Sequence, residues 1–236
     1  MLVDDPRVLE RIFEKAPLLV ATHCEHEPTI QENTLIARKR FGDDIPIDYH
    51  PMIRSEEACY RSSKHAVELA GKYGTRLHVL HLSTGSELDL FTNRTPLKDK
   101  KITAEVCVHH LWFHDADYER LGTLIKWNPA IKSMDDRDEL IRGILDDRLD
   151  VIATDHAPHT MDEKNNTYLK APSGGPLVQH SLPAMLELFR KGVVTIEKVV
   201  QKMCHAPAIC FGVRDRGFIR EGYKADLALI DLNDPW

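Results

Sequence analysis

The chain has 236 residues, 42% of them hydrophobic and 29% charged, with 31 Lys plus Arg against 37 Asp plus Glu and a net charge of -6. That length and apolar fraction allow a sizeable core in one large domain or one and a half. The charge is spread rather than gathered into blocks, which argues against nucleic acid or an anionic membrane surface as partner.

Five cysteines (Cys24, Cys59, Cys107, Cys204, Cys210) are odd in number and form no C-x-x-C pair, a pattern of reduced thiols rather than of a disulfide framework. No apolar run approaches the roughly 18 residues that span a bilayer, and the N-terminus lacks the basic-then-apolar order of a signal peptide. The expected location is the cytoplasm.

In chain order, Asp4-Asp5-Pro6 looks like a helix start, and Val8, Leu9, Ile12 and Phe13 recur at helical spacing, predicting a helix over about 6–16. "PLLVATHC" (17–24) is an apolar run too short for a helix and reads as a strand covered on both faces. A polar loop follows. "SEEACYRSSKHAVELAGKYG" (55–74) reads as an amphipathic helix closed by glycine, "RLHVLHLS" (76–83) as a second buried strand, and "TGSELDLFTN" as the start of a short helix. "KITAEVCVHHLWF" (101–113) reads as a third strand. "SMDDRDELIRGILDDRLD" (133–150) carries a Ser cap, acids in its first turn and an apolar stripe, and feeds a fourth strand, "VIAT" (151–154). Two more helices are expected over about 179–191 and 195–212. Beyond them Gly217 and Gly222 punctuate short alternating segments, as at the start of a small β-domain over 213–236.

Strands alternating with helices predict an α/β fold with a parallel sheet and right-handed crossovers. The polar residue of each strand lies at its carboxyl end: His23, His81, the His109-His110 region and Asp155. That is the layout of a TIM barrel, whose sites gather at the C-terminal mouth, although four strands make half of eight. Two imidazoles and a carboxylate (His23, His81, Asp155) at one mouth suit zinc or a similar divalent ion, which would lower the pKa of bound water to about 7. Asp155 could then accept and return the proton. His109, His110, His26, His50, His65, His114, His180 and His205 read as structural or surface residues, and His156 as shaping its loop.

"ATDHAPHTMDEK" (153–164), including Lys164, resembles the signature segment of the dihydroorotases, cyclic-amide hydrolases of the amidohydrolase superfamily. "THCEHE" (22–27), "HVLHLSTGSE" (78–87), "ITAEVCVHHLWF", "KWNPAIKSMDDRDEL" (126–140) and "FIREGYKADLALID" (218–231) are similar to further pieces of that family in the same order. The resemblance implies the C-terminal half of a metal-dependent (β/α)8 barrel over 1–212, followed by the beginning of a composite β-domain over 213–236. It implies His23, His81 and Asp155 as ligands of zinc, present as one or two ions, with Asp155 also the catalytic proton carrier. His159 would bind the substrate carboxylate, and Asn128, Ser173 and Gly174 would face the ring amides. The reaction implied is the reversible hydrolysis of dihydroorotate to N-carbamoyl-L-aspartate in pyrimidine biosynthesis, by a possible homo-oligomer.

"APSGGP" (171–176) departs from relatives that carry a bulkier residue before a single glycine, and the family's H-x-H pair occurs nowhere in the 236 residues. The expectation is therefore a C-terminal part cut at both ends, or a degenerate relative, which alone binds zinc weakly, tends to aggregate and turns over little. Two other readings stay open: a hydantoinase- or allantoinase-like amidohydrolase, and a non-catalytic dihydroorotase-like scaffold subunit.

Overall fold

A computed structural model describes residues 3 and 5–233. Asp4 of the predicted helix start and the last three residues of the 213–236 segment lie outside the described residues. The helices are α1 (Pro6–Lys15), α2 (Glu27–Phe41), α3 (His50–Ile53), α4 (Glu56–Tyr73), α5 (Val108–Trp112), α6 (Asp117–Leu121), α7 (Met134–Leu145), α8 (Met161–Lys164), α9 (Ser181–Arg190), α10 (Ile196–Val200) and α11 (Ala206–Phe211). The strands are β1 (Val20–Thr22), β2 (Leu77–Val79), β3 (Ile102–Cys107) and β4 (Val151–Ala153). They form one parallel sheet in the order β1-β2-β3-β4, registered Val20 on Leu77, Leu77 on Ile102 and Glu105 on Val151. The predicted α/β class and parallel sheet are present.

The core explains why these segments are strands. Leu77, Val79, Ala104 and Val106 are wholly buried and pack with Phe13, Leu82, Leu88, Leu140, Ile144 and Leu149 from the flanking helices and loops. An apolar run buried on both faces is what a helix-covered parallel sheet requires. Local signals set the helix boundaries. The Ser55 side chain accepts from the Ala58 amide to start α4, and Gly74, at φ 68°, closes it in the left-handed conformation. Ser133 and Asp136 form a reciprocal capping box at the head of α7.

Three expectations are corrected. The "polar loop" after the first strand holds α2, a 3-10 turn over Ile47–Tyr49, and α3. Its helicity was hidden because α2 buries only Thr29, Ile30 and Ala37 while Leu35 and Ile36 stay exposed, so no apolar stripe repeats at helical spacing. The third strand stops at Cys107, and the chain turns at once into α5, which buries His109 and His110. The helix predicted over 195–212 is α10 and α11 joined by a π-helical turn at Gln201–His205. Among the described residues of 213–233 no strand forms, and Ile219, Leu227 and Leu229 are exposed there. Among the described residues, no helix is long and apolar enough to cross a membrane.

Candidate active site

The parallel sheet delivers three of the predicted residues to the same end. His23 follows the last residue of β1, His81 lies two residues past β2, and Asp155 two residues past β4. His81 and Asp155 share a further feature that the sequence did not disclose: both exit their strands with positive φ, 37° and 45°. Non-glycine residues in that region carry strain of order 1–3 kcal/mol and cluster at functional positions.

His23 and His81 meet. His23 Nδ1 lies 3.0 Å from His81 Nε2, and the rings are edge-on with centroids 4.8 Å apart. The other nitrogen of His23, Nε2, is 3.0 Å from Glu25 Oε2. A carboxylate only accepts, so Nε2 carries the proton and the bare lone pair of neutral His23 sits on Nδ1, aimed at His81. Arg54 binds the same Glu25 oxygen from the opposite side. Burial alone would push the Glu25 carboxyl up, but the His23 hydrogen bond and the Arg54 charge outweigh it and hold it at about 2. Burial, reinforced by the neighbouring His23, pulls His81 below the usual imidazole range, with Asp155 acting in the opposite sense.

This corner fits a zinc ion as two of its ligands. Tetrahedral zinc with bonds of about 2.0–2.1 Å sets ligand nitrogens about 3.3 Å apart, close to the separation seen. A carboxylate fixing the far nitrogen is the usual support for a metal-binding histidine. Asp155 does not join the pair: its side chain is exposed, and no group of three or more His, Cys, Asp or Glu side chains among the described residues is spaced to hold a metal. The structure thus brings His23 and His81 together at this end of the sheet and leaves Asp155 outside the pair, with β3 between β2 and β4.

The residues expected to face substrate also assemble in part. Ser173 Oγ donates to Asn128 Oδ1 at 3.0 Å, and the Gly174 amide donates to the Lys126 carbonyl at 2.9 Å. The doubled glycine has a steric cause. A Cβ on Gly174, at φ 129°, would lie 2.6 Å from Ala157, and one on Gly175 would lie 2.5 Å from the Trp127 ring. Asn128 shares with His23, Thr22 and Arg54 the lining of a cavity of about 730 Å³ on the β1 side of the sheet. His159 stands apart, half-buried beside Glu163, with Nδ1 3.8 Å from its carboxylate. His156 accepts from the Val178 amide at 3.1 Å, the loop-shaping role expected of it. His50 is wholly buried between the Trp127 carbonyl and the Tyr168 hydroxyl, again structural.

Glu25 and Arg54 are the residues the sequence reading missed. Glu25 had a signal, since a side chain two positions beyond His23 on extended backbone shares its face. Arg54 had none, because it reaches Glu25 only through the turn made by α2 and α3.

The sequence matches the amidohydrolase family over residues 6–235. It is 36% identical to the dihydroorotase of Carboxydothermus hydrogenoformans over 233 residues, 97% of this chain and 53% of that protein. It is 34% identical to the dihydroorotase of Methanosarcina mazei, over 90% of this chain and 47% of that one. The chain therefore spans about half the length of the curated relatives it matches. In fold it superposes on L-hydantoinase from Arthrobacter aurescens with a TM-score of 0.87 at 24% identity, covering 94% of this chain and 51% of that one. The dihydroorotase of Saccharomyces cerevisiae in complex with 5-fluoroorotic acid superposes at 0.61 and 17% identity, over 67% of this chain and 44% of that one. With the family matched along nearly its whole length, and the parallel-sheet fold shared with solved relatives, the chain belongs to the amidohydrolase family.

Proposed function

We propose that residues 1–212 form the C-terminal half of a zinc-dependent (β/α)8 barrel, that 213–236 begin the composite β-domain, and that the assembled protein is a cytoplasmic dihydroorotase. The observation that carries this reading is the His23–His81 pair, whose facing nitrogens Glu25 orients at the C-terminal end of the sheet. Similarity to dihydroorotases at 36% and 34% identity supports dihydroorotate as the substrate.

His23 and His81 would hold the metal, with Asp155 reaching it as the barrel closes. A zinc ion supplies Lewis acidity toward a ring carbonyl and a hydrolytic water that ionises near neutral pH. Asp155, exposed at the mouth, takes the proton from that water as oxygen bonds to the carbonyl carbon. It then passes the proton to the ring nitrogen as the carbon–nitrogen bond breaks, giving N-carbamoyl-L-aspartate. Asn128 and the Ser173-Gly174 backbone hold the ring amides, and His159 meets the carboxylate that distinguishes dihydroorotate from a hydantoin.

The test is complementation. The chain is combined with the N-terminal part of the Carboxydothermus dihydroorotase that precedes the matched region, with zinc, and N-carbamoyl-L-aspartate is quantified. Hydrolysis of dihydroorotate, abolished by Asp155→Asn, is the expected result, with zinc retention lost in His81→Ala. An assembly that opens hydantoin or dihydrouracil but not dihydroorotate would move the chain to the hydantoinase reading. An assembled, zinc-loaded barrel inert toward all three would favour the scaffold.

A further inference from the structure

Two buried lysines stand beside the substrate-facing loop with no carboxylate among the described residues paired to them. Lys164 Nζ donates to three carbonyl oxygens, those of Lys126 at 3.1 Å, Pro172 at 3.0 Å and Gly174 at 2.9 Å. Lys126 Nζ donates to the carbonyls of Tyr168 and Ala171, both at 2.6 Å. Each also lies over an aromatic ring, Lys126 4.6 Å from the centroid of Tyr168 and Lys164 5.7 Å from that of Trp127. Their relative exposures are 9% and 4%, and among the described residues neither forms an ion pair.

Buried charges are ordinarily paired, because removing an ion from water is expensive. Carbonyl dipoles and ring faces hold an ammonium ion in place but do not cancel its charge. Burial pulls both lysines down to about 8, with Arg54 adding to the effect on Lys126 and Lys126 to that on Lys164; at neutral pH both still carry most of their charge. The fold therefore keeps two positive charges behind a loop whose opposite side touches Asn128. Their five carbonyl partners are drawn from 126 and from 168–174, so these bonds fasten the loop to the segment that carries Asn128.

We infer that Lys126 and Lys164 are positioning residues that fix the 171–175 loop against Asn128 and bias the site it lines toward anionic ring amides over neutral ones. The inference deepens the dihydroorotase reading and rests on it. Dihydroorotate carries one carboxylate and its hydrolysis product two, whereas dihydrouracil is the same ring with none.

Two measurements test it: hydrogen exchange of the 165–176 segment in the chain, and binding of dihydroorotate and of dihydrouracil by the assembly complemented with the N-terminal part. In Lys164→Met and Lys126→Met, exchange at Gly174 should accelerate at least tenfold, and affinity for dihydroorotate should fall by roughly tenfold relative to that for dihydrouracil. Lys164→Arg, which keeps the charge, should retain the preference for the anion, and Lys126→Met carries the test if Lys164→Met does not fold. Unchanged exchange in the methionine variants overturns the positioning role, and equal losses for the two ligands overturn the charge bias. If the unaltered complemented assembly binds neither ring, the dihydroorotase reading fails, while the exchange measurement still decides whether the lysines hold the loop.

Discussion

The corner built by His23 and His81 and the segment from Asp155 to Thr160 occupy the same end of one sheet, yet they are held very differently. The first is pinned: His81 is 5% exposed, and Glu25, itself 3% exposed, grips His23 from behind with Arg54 on its other flank. The second is open, with Asp155, His156 and Pro158 all exposed and tied to the rest of the fold mainly through the backbone bridge from His156 to Gly175. Adjacent strands bring side chains into contact, whereas a strand two places away needs curvature or a shared ligand to do so. The densest sequence motif thus lies on the loosest part of the site, and the sparser "THCEHE" on the tightest.

The strongest way to break this comparison is at Asp155. Asp155→Asn should lower the turnover of the complemented enzyme by about 10²–10⁴-fold, the range for losing a general acid–base. Because the residue is exposed, chemical denaturation should show stability within about 0.5 kcal/mol of the parent. A large loss of stability would mean that the open segment is structural after all. On the pinned side, Glu25→Gln should weaken zinc binding by about 10–100-fold in a competition titration, since the amide can offer His23 the wrong group and leaves Arg54 without its partner. Zinc affinity unchanged by that variant would remove Glu25 from the centre.

Gly175→Ala probes the wall between the two regions. A methyl group 2.5 Å from Trp127 must displace the indole, at an expected 1–3 kcal/mol measured by denaturant midpoint. The buried histidines give the pH dependence. Burial pushes His50 and His110 down to about 3 from an ordinary value near 6.5. The unfolded chain binds protons there that the folded chain does not, so stability is full above about 6.5 and falls as pH drops toward 3. The slope is at most about 1.4 kcal/mol per pH unit per histidine. Replacing His50 with Phe should flatten part of that slope in a pH series of melts. The smallest effect is expected at Leu229, 103% exposed, where Leu229→Ser should change stability by less than about 0.5 kcal/mol while reducing self-association.

The strands and most helices were legible because their signals are local: the apolar run 17–21 leading into β1, and Ser55 and Gly74 bracketing α4. Helix α2 was not, because its buried positions number three and its exposed ones include Leu35 and Ile36, a pattern without periodicity. The short alternating segments near the end of the chain form no strand among the described residues, since alternation describes a face but supplies no neighbour to bond to. In the site, the placement of His23 and His81 could be anticipated from position, and Asn128 and Ser173 as candidates from resemblance, though not the hydrogen bond between them. Arg54 against Glu25, Lys126 on its carbonyl cradle and Lys164 on the Lys126 carbonyl depend on separations of 29 to 45 residues closed only by the tertiary fold.

The left-handed turn taken by the backbone at both His81 and Asp155 bears on how this site can be rewritten. Asparagine visits that region readily, whereas a β-branched residue is a steric outlier there. Replacing either position with valine would therefore redirect the chain where it leaves its strand and confuse lost chemistry with a misrouted loop. Asparagine at 81 or 155 removes the imidazole or the charge and leaves the path of the chain intact, so the evolutionary routes open to an inactive descendant should pass through Asn or Gly.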